Sequence, residues 1–562
     1  MRLVIYSSAA PAALQHLLWR FRLDLPEVDV AGILYEVARP PLSPSRRLRR
    51  LARLALRREF LLYLFSRLTV AAVRTTAALR DRVLRWVHAA PANPNGAAPT
   101  VESLIAECRA RDIRIHCTQD LHDSASLAFV RALHADVGLI YGTRILKPEL
   151  FTIPRLGSIN IHKHKLPDYR GCGAPGLWEL RDRCSTMTVT VHRVAVEVDA
   201  GEIVGERSFP IEPLDTLRSV GLKADLVSVD LLVDVIRDVA AGTTVERAQA
   251  CGGALYRGYQ PHQIHAIERD IRATRERWSP GYTRSFPKRA ARTAMLPFLA
   301  VRNHRLRRRG RFPVVVLYHH LTCDRRKLMG LPTDAFARHV QFLKRHYRIA
   351  SIRDAVEMLR AGEVDAPTVV LTFDDGYADN FMGLRAVAEL ERVPITVCVC
   401  TEHVANRAEL DHDVLRGERG FRSLDWEQVR YLDRHGVTIA SHTRTHFDCG
   451  AEDTERLASE IAGSRQDLEE ALGHPVDIFA FPLGKPENAS PAALQLALQH
   501  YAVVMSAAGG GNIGPLNPPA ELRRYFHPDS LWELELQVQG ILDRAVPMLQ
   551  PAPIVLQPAP AM

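Results

Sequence analysis

Two series of short, strongly apolar runs constrain this 562-residue chain more than any other feature. In residues 1–255 they are RLVIYS, VAGILYE, IRIHCT, VGLIYG, SINIH and TVTVHRV. In residues 313–548 they are PVVVLYH, TVVLTFDD, PITVCVC, VTIASHT, DIFAFP and YAVVMS. Strand-length runs rich in β-branched residues, separated by helix-length stretches, fold as parallel α/β layers. The pattern predicts two α/β domains, over 1–255 and 313–548, and the chain is long enough for both to build a core. Residues 45–90 interrupt the first series as an Arg-rich helical insertion. Residues 256–312 read as a basic helical linker, and the proline-rich residues 549–562 as a disordered tail.

Charge is local. The net charge is +9. Arg46, Arg47, Arg49, Arg50, Arg53, Arg57 and Arg58 form one cluster; Arg302, Arg305, Arg307, Arg308, Arg309 and Arg311 form another. Together these arginines outnumber the net charge, so the rest of the chain is close to neutral and the basicity marks two patches. The patches lack interleaved aromatics, which argues against a nucleic-acid partner. The insertion leaves peripheral membrane contact open. Nine cysteines without a CxxC pair fit reduced thiols rather than a disulfide framework. The opening MRLVIYSSAAP reads as a strand and not as an export signal, so a cytoplasmic location is expected. Gly509, Gly511 and Gly514 spell GxGxxG, but prolines follow instead of a helix, so the stretch reads as a loop. Nothing in the sequence fixes the oligomeric state.

The first concentration of chemistry is GSINIHKHKLPDYRG, Gly157 to Gly171. A strand alternates its side chains, which puts Asn160 and His162 on one face. A second strand, TVTVHRVAVEV, ends in Asp199-Ala200-Gly201. Asn, His and a more distant Asp suit acyl transfer to an amine: an amide to hold a developing oxyanion, an imidazole to take a proton or polarise a carbonyl, a carboxylate to set the imidazole's protonation. The N-x-H of Asn160 and His162, the L-P-x-Y-R-G of Leu166 to Gly171 and the D-x-G of Asp199 to Gly201 resemble the formyltransferase family that uses N10-formyltetrahydrofolate, which includes methionyl-tRNA and sugar N-formyltransferases. The resemblance covers residues 100–230 best. It implies a Rossmann-like domain with Asn160, His162 and Asp199 as the catalytic trio. It also implies a folate pocket around Tyr141, Gly142, Ile145 and Leu146. One departure is His164, where many members of the family have a small residue; it bears on the shape of the acceptor pocket.

The second concentration is TVVLTFDDGY, an apolar strand that ends in Asp374 and Asp375. Adjacent carboxylates at a strand end are costly unless a cation or a proton transfer uses them. A later strand, VTIASHTRTH, ends in His442 and His446, whose i, i+4 spacing predicts a shared face if a helical turn follows. One carboxylate and two imidazoles can bind a divalent metal and leave positions open for water and substrate, with the second Asp as base. The F-D-D-G-Y of Phe373 to Tyr377, the S-H-T-x-x-H of Ser441 to His446, the F-A-F-P-x-G of Phe479 to Gly484 and the L-Y-H of Leu317 to His319 resemble the polysaccharide deacetylase family, the NodB-like carbohydrate esterases. The resemblance implies a distorted (β/α) barrel with the motifs at strand C-termini. It implies Asp374 as general base and Asp375, His442 and His446 as ligands of zinc or a similar ion. Arg523-Arg524 match a late arginine of some members, and His527 is the one candidate general acid.

Together these features predict a bifunctional α/β enzyme: an N-deacetylase that exposes an amine and an N-formyltransferase that formylates it. The expected substrate is a small-molecule or nucleotide-linked amino sugar. Two other readings stay open: a deformylase in a transient-formylation route, and an inactive barrel that only binds a glycan.

Overall fold

The computed structural model describes residues 1–37, 99–250, 252–257, 261–278, 286–325, 330–516, 519–528 and 530–539, with scattered positions between 79 and 87. Most of the expected Arg-rich insertion, and all of the tail, lie outside the described residues. Contacts divide the chain into two units. The first comprises Met1–Ala300, Leu321–His346 and Asp379–Val393; the second comprises Val301–His320, Tyr347–Ala378 and Pro394–Met562.

In the first unit, strands β1 (Arg2–Ser7), β2 (Asp29–Glu36), β3 (Arg114–Thr118), β4 (Val137–Tyr141) and β5 (Ser158–His162) pair in parallel, in the order β3-β2-β1-β4-β5. A short β6 (Tyr169–Cys172) follows, then β7 (Thr186–Arg193) and β8 (Ile203–Pro210), which extend the sheet beyond β5, and finally β9 (Ala254–Arg257), which pairs with β6. Strand β1, between β2 and β4, is buried on both faces. Leu3 and Ile5 enter one core cluster, whereas Val4 and Tyr6 enter the cluster on the other face. That two-sided burial is the reason the run reads as continuously apolar.

The pattern predicted a parallel sheet, but β5-β7 and β7-β8 are antiparallel. The link from Arg193 to Ile203 is too short for a helical crossover, so β7 and β8 form a hairpin. The helix Leu217–Ala241 covers β7 and β8, with Val227, Leu231 and Ile236 in the same cluster as Val189 and Val191. Thr216 and Ser219 form its capping box, and Gly242 ends it in the left-handed conformation.

Segments 321–346 and 379–393 of the first unit are held partly by charge. Asp230 accepts from Arg20 at 2.8 Å and from both Arg385 Nη atoms at 2.7 and 2.8 Å. Glu389 accepts from Arg385 Nε at 2.6 Å and faces Arg20 and His16 at 3.2 Å. Burial opposes ionisation of Glu389 most strongly, yet His16 and the two guanidinium groups hold its carboxyl well below the usual range.

Along the second half, β10 (Val314–His319) is followed by the short pair β11 (Leu321–Thr322) and β12 (Gly330–Leu331), both of the first unit, and by β13 (Arg348–Ile349). Then come β14 (Thr368–Phe373), β15 (Thr396–Val399), β16 (Thr438–Ser441), β17 (Ile478–Ala480), β18 (Val503–Ser506) and β19 (Ala520–Phe526). All pairs among β10 and β14–β19 are parallel. Because β10 pairs with both β19 and β14, the order β10-β19-β18-β17-β16-β15-β14 closes into a seven-stranded barrel, with β13 added outside on β14. No helix among the described residues is long and apolar enough to cross a membrane.

Candidate active sites

In the first unit, Asn160 and His162 project from β5, and the antiparallel register sets Asn160 opposite His192 of β7. Asn160 Nδ2 lies 3.1 Å from His192 Nε2. His192 Nδ1 lies 2.7 Å from the Arg193 carbonyl oxygen, which only accepts. His192 Nδ1 therefore carries a hydrogen, and in the neutral ring Nε2 accepts from Asn160. Asp199 sits in the β7-β8 hairpin with φ of +51°, a left-handed conformation uncommon outside glycine. Its carboxylate faces His162 Nδ1 at 3.7 Å and His192 Nε2 at 3.4 Å. Burial pushes the His162 imidazole down to about 4, against the pull of Asp199. Burial alone would raise Asp199, but His192 and His162 hold it below the ordinary carboxylate range. The site thus sets a neutral imidazole beside an ionised carboxylate.

The L-P-x-Y-R-G and D-x-G motifs hold each other in place. Arg170 donates to the Val198 carbonyl and to Glu197, and the Gly171 N–H donates to Asp199 Oδ2 at 2.8 Å. Gly171 has φ of +93°, and a Cβ there would lie 2.2 Å from the Tyr256 oxygen. At Gly201 a Cβ would lie 1.9 Å from the Arg193 oxygen, so only glycine lets the hairpin close. Of the residues expected to line a folate pocket, Tyr141 and Leu146 are core residues in separate clusters. Gly142 turns the chain at φ of +64°, and Ile145 is 71% exposed.

In the second unit, Asp374 and Asp375 follow β14 at the C-terminal end of the barrel strands. Asp374 accepts from Arg524 Nη1 at 2.7 Å, and Arg524, on β19, is 1% exposed. Arg523 turns away, and its N–H donates to Asn512. Burial alone would raise the Asp374 carboxyl, but Arg524 and His442 hold it below its ordinary range. Asp375 has φ of +72°, and its Oδ1 lies 3.5 Å from His442 Nε2 and 3.3 Å from His446 Nε2. His442 Nδ1 lies 2.8 Å from the Ala480 carbonyl oxygen, which turns Nε2 toward Asp375 and accounts for part of the F-A-F-P-x-G motif.

The histidine spacing predicted a helical face, but no helical turn follows β16. Thr443 and His446 adopt left-handed φ of +65° and +57°. Buried Glu460 accepts from the N–H groups of Arg444 and Thr445 and fixes the loop. Strain of this kind concentrates where geometry serves a site.

Asp375, His442 and His446 offer ligand atoms within 4.8 Å of one another. Both Asp375 carboxylate oxygens are buried without a hydrogen-bond partner, a cost that a bound cation would offset. Two imidazoles and a carboxylate with open positions fit a divalent ion such as zinc.

His527 packs against His319, with ring centroids 4.0 Å apart, and His319 also stacks on Phe373. The L-Y-H resemblance stopped at His319. His320, the next residue, lies near enough to act on both Asp374 and Asp375, as His442 does. Sequence reasoning also missed His192, which the alternation of Thr188, Thr190 and His192 along β7 could have signalled, and His412, whose ring lies 4.9 Å from that of His446.

Residues 95–236 match the formyl transferase family model, and residues 361–501 match the polysaccharide deacetylase family model. The chain is 34% identical over 123 residues to methionyl-tRNA formyltransferase of Parabacteroides distasonis, covering 21% of this chain and 38% of that protein. It is 39% identical over 92 residues to the bifunctional polymyxin resistance protein ArnA of Wigglesworthia glossinidia brevipalpis, covering 16% of this chain and 14% of that protein. It therefore spans less than half the length of these curated relatives. Among solved structures, the Streptococcus pyogenes deacetylase PplD in complex with acetate superposes with a TM-score of 0.34 at 18% identity, covering 41% of this chain and 98% of that one. The chain joins a formyl transferase domain, over residues 95–236, to a polysaccharide deacetylase domain, over residues 361–501.

Proposed function

We propose that the chain exchanges one acyl group for another on an amine. The barrel hydrolyses an N-acetyl amide, and the mixed-sheet unit places a formyl group from N10-formyltetrahydrofolate on the nitrogen released. The observation that carries this reading is the presence, in one chain, of a site suited to make an amine and a site suited to consume one. In the barrel, Asp374 is kept ionised by Arg524, so it can take a proton from the attacking water. A divalent ion on Asp375, His442 and His446 would polarise the amide carbonyl and the water. The products are acetate and the free amine. In the other site, the Asn160 amide, its Nδ2 3.1 Å from His192, would hold the developing oxyanion, with His162 facing Asp199.

A nucleotide-linked amino sugar in the cytoplasm is the favoured substrate. The match to methionyl-tRNA formyltransferase covers 38% of that protein, so its tRNA substrate does not carry over with the match. The test is incubation of the full chain with N10-formyltetrahydrofolate, zinc or cobalt, and a panel of nucleotide-linked N-acetylamino sugars beside their free amines, followed by mass spectrometry. Replacement of acetyl by formyl, a loss of one methylene, supports the reading. If free amines are formylated and acetylated sugars never react, the barrel removes another acyl group, formyl included, or only binds. If neither class reacts, the sugar assignment fails.

A further inference from the structure

A groove of about 510 Å³ opens on the outer helical layer of the second unit, between the helices Thr401–Asn406, Trp426–Arg434 and Thr454–Leu472. Trp426, Glu402, Arg430, Arg444, Asp467 and Glu470 line it, and none of Asp375, His442 and His446 does. The volume falls within the about 300–1,000 Å³ of small-molecule sites.

The floor is fixed. Arg444 lies in the loop between His442 and His446, but its guanidinium turns to the helix Thr454–Leu472 and donates to Asp467 at 2.7 and 2.8 Å. Thr401 Oγ1 donates to the same carboxylate at 2.6 Å. The N–H groups of Thr401 and Glu402 donate to the carbonyls of Thr443 and Arg444. The groove thus backs the loop that carries the two histidines, and its base is already ordered before a ligand arrives.

The groups around that floor are not committed in the same way. Trp426 is partly exposed, and among the described residues its Nε1–H donates to no group and its ring stacks on no other ring. An indole with an apolar body and one wet edge is a common anchor in binding sites. Arg430 donates its Nε–H to the Ala471 carbonyl at 2.9 Å and, among the described residues, pairs with no carboxylate, so its Nη groups are left to donate. Glu402 makes no ion pair among the described residues, and Glu470 accepts from Gln466 at one oxygen, at 2.9 Å.

These groups select a ligand by charge and shape. Arg444 is neutralised by Asp467, so an anion would meet Glu402 and Glu470, and a cation would meet Arg430. Neutral hydroxyl groups can donate to the carboxylates and accept from the guanidinium, while the C–H face of a ring covers the indole. A pyranose carries all of these features. We propose that the groove is a saccharide site, separate from the Asp375, His442 and His446 centre, that holds a short neutral glycan. The proposal goes beyond the acyl-exchange reading and does not depend on it.

The experiment titrates the full chain by calorimetry with cellobiose, maltose and N,N′-diacetylchitobiose, each up to about 20 mM, to reach millimolar affinities. It compares the wild type with Asp375→Ala, Trp426→Ala and Arg430→Ala, and checks folding by circular dichroism. Arg430 is exposed, so its replacement tests the groove without opening the core. At least one sugar should bind the wild type and Asp375→Ala alike, and Trp426→Ala and Arg430→Ala should each weaken it by about tenfold or more. A wild type that binds none of the sugars overturns the assignment. So does a folded Trp426→Ala or Arg430→Ala variant that binds within about twofold of wild type. Binding that Asp375→Ala abolishes belongs to the metal centre and overturns it as well. Binding is read without turnover, so each of these results leaves the acyl-exchange reading where it stands.

Discussion

Arg385→Met probes how residues 379–393 are secured within the first unit. The guanidinium donates twice to Asp230, at 2.7 and 2.8 Å, and once to Glu389, at 2.6 Å. Methionine keeps much of the stem's apolar contact and removes the charge. Arg20 is then left to face Asp24, Asp230 and Glu389 without its companion, and burial keeps the neighbouring His16 below its ordinary pKa. Removing one partner from a buried charge pair costs about 3–5 kcal/mol, and the near-complete burial of Arg385 and Glu389 puts this case inside that range.

The pH dependence has a definite sign. In the wild type the Glu389 carboxyl is depressed, so its contribution is fully present above the ordinary value of 4.5 and is lost only as pH falls through the lower folded value. In the variant Arg385 no longer lowers the Glu389 carboxyl, while His16 and Arg20 still do, so the depression shrinks. The folded variant then takes up protons at higher pH than the folded wild type, and the gap in stability between them narrows as pH falls. The loss should therefore be smaller at about pH 4 than near neutrality. Hydrogen exchange read by mass spectrometry on peptides from 217–241 and 380–390 measures this without assuming that both units unfold together. Protection within about 1 kcal/mol of wild type at neutral pH, or a loss that grows on acidification, would refute the reasoning.

Four further outcomes are expected. Asp375→Ala and His446→Ala should each lose the bound divalent ion by elemental analysis and abolish amide hydrolysis while formylation of free amines persists; retention of the ion by both variants would contradict the ligand assignment. Arg524→Leu removes the main attraction on the Asp374 carboxyl, so hydrolysis should appear only at higher pH than in the wild type, and an unmoved pH profile would count against Arg524 as the group that keeps the base ionised. With His162 held at about 4, its ring should stay neutral to about pH 5 in a nitrogen-15 NMR titration, and earlier protonation would remove the neutral-imidazole description. Gly201→Ala places a methyl where the Arg193 oxygen already lies, so the hairpin carrying Asp199 must shift and formyl transfer should fall about 100-fold, whereas near-wild-type kinetics would show that the D-x-G turn tolerates displacement.

The strands legible in the sequence were those buried on both faces. TVVLTF and VVVLYH are continuous apolar runs because these two strands are buried along nearly all their length on both faces. The strands that went unread were half-exposed ones. IVGERSFP, which became β8, buries only Ile203 and Phe209, so its pattern is dominated by polar residues. AELRRYF, which became β19, carries a buried arginine whose charge meets Asp374, a partner 150 positions away.

The same contrast holds for the sites. Asn160, Asp199, Asp374 and Asp375 could be found because each lies in a local motif. Alternation along β7 gives the face that His192 occupies, but that it faces Asn160, and that His164 meets Glu179, depends on register and packing that local spacing does not encode. The loop between His442 and His446 was misread for a related reason: i, i+4 spacing is shared by helices and by tight loops, and contacts from elsewhere in the chain, Glu460 among them, hold the loop.

The pairing of β6 with β9 bears on how this protein can be dissected. The match to the formyl transferase family ends at residue 236, which invites a fragment cut close to that position. Such a fragment would discard Ala254–Arg257, the strand against which Tyr169–Cys172 is laid. It would also discard Tyr256, which stacks on Trp178 at 4.4 Å, and Ile267, which packs with Leu177 and Trp178 behind the helix that bears Glu179. Even a first half run through Trp278, the end of the helix that carries Ile267, would lack residues 379–393, whose Arg385 and Glu389 face Asp230 and Arg20, so inactivity of an excised piece would reflect lost support rather than missing chemistry.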